Sequence, residues 1–127
     1  MKAINGIIES ADIELSGGFL LEMKLGMKLA GGRVVCFGGT CLCNYQNEED
    51  NANGGNYAGM YICKVLDICN ASSVKELVGK PVRVIFENEG RCGDLAIGLQ
   101  GFLDYRKCYI PSREYDKAEL EKLMWED

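Results

Sequence analysis

Four of the chain's five arginines, Arg83, Arg91, Arg106 and Arg113, fall in one stretch that also holds Phe86, Tyr105 and Tyr109. A guanidinium fork binds phosphate or carboxylate at two points, and an aromatic face stacks on a base. Together these residue types suit a discrete planar, anionic ligand. The same arginines could equally lie on a solvated sheet face, paired with Glu87, Glu89, Asp104 and Glu114. Phe37-Gly38-Gly39-Thr40 could bring backbone N–H groups to a phosphate, or could simply mark a bend in a sheet. No Lys-Ser/Thr follows it, so it is not a Walker loop. Asp12 with Glu14, and Asp94 with Asp104, are carboxylate pairs that could meet in space, which spacing alone leaves open.

The chain contains no histidine. Ser-His-Asp and Cys-His catalysis, histidine-ligated metals and histidine acid–base chemistry are therefore excluded within it. A cysteine nucleophile would have only Asp, Glu, Lys or a tyrosinate as its base. Seven cysteines could suggest a disulfide framework. The odd count, the lack of a signal-peptide pattern in Met1–Gly6 and the near-average length favour reduced cytosolic thiols used as small hydrophobes. Zinc would need four thiolates here, and Cys36, Cys41 and Cys43 form C-x4-C-x-C, not a usual knuckle spacing. No metal and no cofactor is expected. With 14 basic against 19 acidic side chains and net charge −5, the chain lacks the basic surplus of a polymeric nucleic-acid or anionic-membrane binder. No apolar run approaches transmembrane length.

These residues must be positioned by one domain, residues 1–127, because 127 residues suffice for a single core and no linker divides them. Ile-rich runs at 2–9 and 11–16 read as strands, followed by a turn at Ser16-Gly17-Gly18. Phe19, Leu21, Met23 and Leu25 alternate with Leu20, Glu22 and Lys24, as in a half-buried strand. After Ala30-Gly31-Gly32, a strand over 33–37 should continue over 40–45 past a bulge at Gly38-Gly39. Residues 46–56 have no apolar side chain larger than alanine and read as a solvated loop, without the spacing of an EF-hand. Helical spacing runs from 59 to 69, with Asn70 as its stop. Ser72–Leu77 reads as a short capped helical turn ending near Gly79. Strands follow at 81–87 and 95–103 around a turn at 88–93. A last helix capped by Ser112, or by an Asp116–Glu119 box, runs to Met124, with Trp125 docking on a neighbour. The expected class is α+β, mainly antiparallel, with one central and one C-terminal helix.

The chain also resembles a phage family. The resemblance rests on Phe37-Gly38-Gly39 and its polar loop, Tyr61–Leu66, Ser73–Val84, Ala96-Ile97-Gly98 and Tyr109-Ile110-Pro111. Over roughly residues 3–115 it is similar to the phage Thoeris anti-defence proteins of the first type, which act as signal sponges. The resemblance implies a non-enzymatic protein with no catalytic residues. Such a protein holds cyclic ADP-ribose isomers made by bacterial TIR enzymes, so that Thoeris effectors stay silent, and in some members cyclic trinucleotides, which would silence CBASS effectors. It further implies a homo-oligomer, a hexamer, acting in the host bacterial cytoplasm. Phe86 then falls where an aromatic stacks on adenine, and Arg113 where a guanidinium grips the pyrophosphate. Asn88 and Asp104 fall near ribose hydroxyls, with Arg106 in the same set, and Gly90 and Arg91 at a second, trinucleotide site.

A sponge working below micromolar ligand needs more than about 8 kcal/mol of binding free energy. One stacked base contributes roughly 1–3 kcal/mol, so several charge-assisted bonds in a closed pocket between subunits are required. Two other classes stay open at this point. One is a metal-dependent nucleotide hydrolase using Asp94 or Asp104. The other is a non-catalytic structural or interaction protein assembling through a sheet edge or the last helix.

Overall fold

The computed structural model describes residues 1–91, 93–112 and 115–125, and within these the side chains outside 48–56, 117, 120 and 124–125. The elements run β1 (Lys2–Ser16), β2 (Leu20–Leu29), β3 (Val34–Asn44), α1 (Glu48–Ile68), α2 (Val74–Leu77), β4 (Pro81–Phe86), β5 (Ala96–Gln100), β6 (Cys108–Tyr109) and α3 (Lys117–Trp125). All six strands form one antiparallel sheet in the order β3-β2-β1-β4-β5-β6, so the chain is α+β as its pattern indicates. Two-residue alternation makes β1, β2 and β3 a meander, and glycines at φ +63° and +85° (Gly17, Gly18) and +101° and +97° (Gly31, Gly32) close its turns. The runs at 2–9 and 11–16 are one strand with a register shift between Ile8 and Ser10. Gly38 and Gly39, at φ +88° and +82°, bulge β3 as expected.

The sheet curls far enough that β3 touches β5, although three strands lie between them. Helix α1 contacts β3, β5 and β6 and so covers the opening. Inside the curl, Val82, Val84 and Phe86 of β4 meet Met23, Leu25 and Met27 of β2 and Tyr61 and Val65 of α1. On the opposite face, Ala3, Ile85, Cys108 and Ile110 pack against Leu123 of α3. Strand β4 is thus buried on both faces, which its near-continuous apolar run reflects.

Three local expectations change, and one open alternative is decided. Residues 48–56 are helical, the first turns of α1, not a loop. Ala58, Tyr61, Val65 and Ile68 form a buried face that anchors the helix, so its first turns need no apolar period of their own. The strand expected over 95–103 ends at Gln100, because Gly101 and the Asp104–Lys107 turn return the chain into β6, a two-residue strand with no periodic signal. The last helix uses the Asp116–Glu119 box rather than Ser112: Glu119 N–H donates to Asp116 Oδ1 at 2.8 Å, and Asp116 N–H to Glu119 Oε2 at 3.3 Å. The thiols also divide: Cys69 and Cys108 are core residues, whereas Cys36, Cys41 and Cys63 are exposed. The expectation for the Trp125 side chain lies outside the described residues.

Candidate site at the closing edge of the sheet

Antiparallel strands put successive connections at alternate ends of the sheet. The β4–β5 connection (87–95) and the residues after β6 (110–112) therefore share one end, and the β5–β6 connection (101–107) lies at the other, about 15 Å of strand away. This divides the expected ligand set. Asn88, Gly90 and Arg91 are at the first end, whereas Asp104 and Arg106 are at the second. Arg113 lies outside the described residues.

At the first end, the sequence Asn88-Glu89-Gly90 turns the chain, with Gly90 at φ +72°. A side chain at Gly90 would collide with Ile4 and with the Phe86 ring, so only glycine lets the turn fold onto the core. Phe86 itself is 0% exposed. Its ring belongs to the core, and the Arg33 guanidinium lies 5.8 Å from its centroid. Arg33 also donates through Nη2 to the Gly90 carbonyl. The stacking face expected for adenine is thus covered within a single chain, and a guanidinium already occupies cation–π distance. Arg33 is the residue that sequence reasoning missed. It lies 57 residues from Gly90, and no local pattern joins them. Arg91 is exposed, and its backbone N–H donates to Asp94 Oδ2 at 2.9 Å, which closes the turn. Asn88 is exposed in a shallow polar hollow of about 440 Å³ with Met1, Lys2, Glu87, Glu89 and Lys122.

The same turn leads into a cleft of about 330 Å³ between the facing edges of β3 and β5. Cys36–Gly38 form one wall, Leu95–Ile97 the other, Tyr61 the floor and Pro111-Ser112 the rim. Phe37 and Tyr61 stack with centroids 6.0 Å apart, and Tyr61 meets Tyr109 edge-on at 5.5 Å. The volume is at the lower end of small-ligand pockets, roughly 300–1,000 Å³. Burial raises the Tyr61 phenol well above its ordinary range and pushes the Cys69 and Cys108 thiols up to about 11. These groups stay protonated at neutral pH and are hydrogen-bonding or packing groups, not nucleophiles.

At the second end, Arg106 Nε and Nη2 hold Asp104 Oδ1 and Oδ2 at 3.0 and 3.3 Å, and this pairing holds the Asp104 carboxyl below its usual range. Asp104 also borders a hollow of about 260 Å³ containing Lys80, Lys107, Phe102 and Leu103. Arg83 belongs to neither end. It is buried on the convex face, where Nη2 donates to the Leu123 carbonyl at 3.4 Å and ties α3 to the sheet. Asp94 precedes β5 and Asp104 follows it, so the two do not meet within one chain. Among the described residues no three metal-binding side chains converge, and no helix is long and apolar enough to cross a membrane.

Fold and site define an α+β protein whose curled antiparallel sheet is closed by one helix, with an aromatic-floored cleft beside an arginine-bearing turn. No protein-family model, no curated protein and no solved structure matches the chain.

Proposed function

We propose that the chain binds and sequesters a cyclic nucleotide signal without cleaving it. The first candidate is a cyclic ADP-ribose isomer from a bacterial TIR enzyme, and the second a cyclic trinucleotide. The protein would work as a homo-oligomer in the host cytoplasm, silencing Thoeris and, through the trinucleotide, CBASS. The observation that carries this is the arrangement at the first end: Arg91, which the resemblance sets at a second site, is exposed on a glycine turn, and the residues that follow the turn, Leu95–Ile97, wall a cleft also lined by Phe37 and Tyr61. A cation on a turn next to a small cleft whose Tyr61 phenol stays protonated suits retention better than chemistry. Phe86 is covered, and the Phe37 and Tyr61 rings that border the cleft are only 4% and 2% exposed, so within one chain a base would sit against the edge of this aromatic cluster.

The two separated ends fit one ligand only if copies assemble with the turn of one against the 101–107 connection of the next. The test incubates the protein with the cyclic ADP-ribose isomer, records native mass spectra, then heat-denatures the protein and recovers the ligand. An oligomer carrying intact ligand, lost in Arg91→Ala with an unchanged far-ultraviolet spectrum, is the expected result. Conversion to a linear product would mean an enzyme. No adduct at micromolar protein and ligand sinks the proposal. A structural or interaction protein is the second reading, favoured by Phe102 and Leu103, which stand 45% and 90% exposed on one connection.

A further inference from the structure

Strand β1 is 15 residues long, but β4 pairs only with its first part, Lys2–Ile7. The next residue, Ile8, is satisfied by the chain leading into β4: its N–H donates to Lys80 O at 3.0 Å and its carbonyl accepts from Gly79 N–H at 2.7 Å. From Ser10 to Ser16 the strand pairs with β2 on one side, and no described strand lies on the other. Helix α2 contacts β1 without adding a strand to it, so half of the backbone donors and acceptors in this segment have no ladder partner.

The two faces of the open segment differ. Ala11, Ile13 and Leu15 stand opposite Leu25, Met23 and Leu21, on the concave, apolar face. Met23 and Leu25 are buried, yet Ile13 and Leu15 remain 39% and 52% exposed, because the row of side chains that would cover them from the missing neighbour strand is not there. On the convex face Asp12 and Glu14 stand opposite Lys24 and Glu22, leaving an acidic surplus along the edge.

A second copy is a poor occupant. Keeping the faces continuous, every antiparallel register that engages at least five of residues 10–16 sets Asp12 opposite Asp12, Asp12 opposite Glu14, or Glu14 opposite Glu14. Like charges directly opposed across a ladder are destabilising. The same carboxylates favour lysine or arginine at those positions. We propose that residues 10–16 of β1 form a docking edge for an extended segment of a partner protein. That segment adds a seventh strand, with basic side chains beside Asp12 and Glu14 and apolar ones over Ile13 and Leu15. Main-chain hydrogen bonds would supply affinity, and the alternating side chains specificity. The proposal is independent of the ligand site, which lies on other strands.

The test uses the full chain and three probes: capped nine-residue peptides alternating lysine with valine, alternating glutamate with valine, and the lysine peptide interrupted by proline. Amide hydrogen exchange is read by nuclear magnetic resonance. The lysine–valine peptide should slow exchange of the outward-facing amides in 10–16 by roughly tenfold or more at millimolar peptide, and the other two should not. The double variant D12K/E14K, folded as judged by its remaining amide shifts, should reverse the preference toward the glutamate peptide. The proposal is overturned if the lysine peptide protects nothing in 10–16, or if the glutamate peptide protects them equally. It is also overturned if concentrating the protein alone protects them, since a second copy would then be the occupant. The wild-type measurements decide the matter even if the double variant does not fold.

Discussion

Single residues hold the closing edge in place. Gly38 and Gly39 share left-handed backbone, yet their surroundings differ. A methyl on Gly38 would run into the Met23 carbonyl, part of the β2 backbone, which pairs with β1 at Ile13, whereas at Gly39 only the flexible Lys24 chain is near, at 3.9 Å. Gly38→Ala should therefore cost about 2–4 kcal/mol, conformational strain plus a backbone collision, and Gly39→Ala only about 1 kcal/mol. Urea unfolding of both variants checks this, and equal losses would show that strain alone governs the bulge. The buried thiols make a second residue-scale prediction. Folding raises Cys69 and Cys108 from 9.0 to about 11, chiefly by desolvation. The folded state thus holds these protons more tightly than the unfolded chain does. The associated stability is fully present below pH 9 and is lost as pH rises from 9 toward 11, by at most about 1.4 kcal/mol per pH unit for each thiol. Cys69→Ala should flatten this alkaline slope in unfolding measurements at pH 8, 9 and 10, whatever it does to stability at pH 7.

At the scale of elements, both short helices are set by paired caps. Ser73 Oγ accepts from Glu76 N–H at 3.3 Å while Glu76 Oε2 accepts from Ser72 N–H at 2.9 Å, and Asp116 with Glu119 repeats the device at α3. Helix α3 contributes Leu123 to the convex-face core, so Asp116→Ala should cost about 1 kcal/mol and speed amide exchange in 117–123 before it affects the sheet. Exchange that rises equally in β2 and α3 would show that α3 does not open on its own. These caps, the β1–β3 meander and the Asn70 stop at φ +53° were legible in the sequence, because each is written in neighbouring residues. What was not legible depends on distant partners. The first turns of α1 carry no apolar period, and β6 is too short to have one. Nor does alternation reveal that both faces of β4 are covered, so that Phe86, which the resemblance sets against adenine, lies in the core. Arg33 sits beside Gly90 only because the sheet curls.

For the whole molecule, the decisive fact is that β5 separates Arg91 from Asp104 and Arg106. A ligand that uses both groups must bridge two copies, and a heterologous contact of one end with the other can close into a ring. Complementation tests this without knowing the number of subunits. Arg91→Ala and Asp104→Ala should each abolish retention of the cyclic ADP-ribose isomer, since every site then lacks one partner. Co-assembled in equal amounts, the variants should regain about a quarter of the sites, those where an intact turn from one copy faces an intact 101–107 connection from another. Native mass spectrometry counts the ligands per assembly. If the mixed assembly holds none, Arg91 and Asp104 do not share a site. If Asp104→Ala alone binds normally, the cleft end suffices and the Asp104–Arg106 pair serves only to shape its own turn.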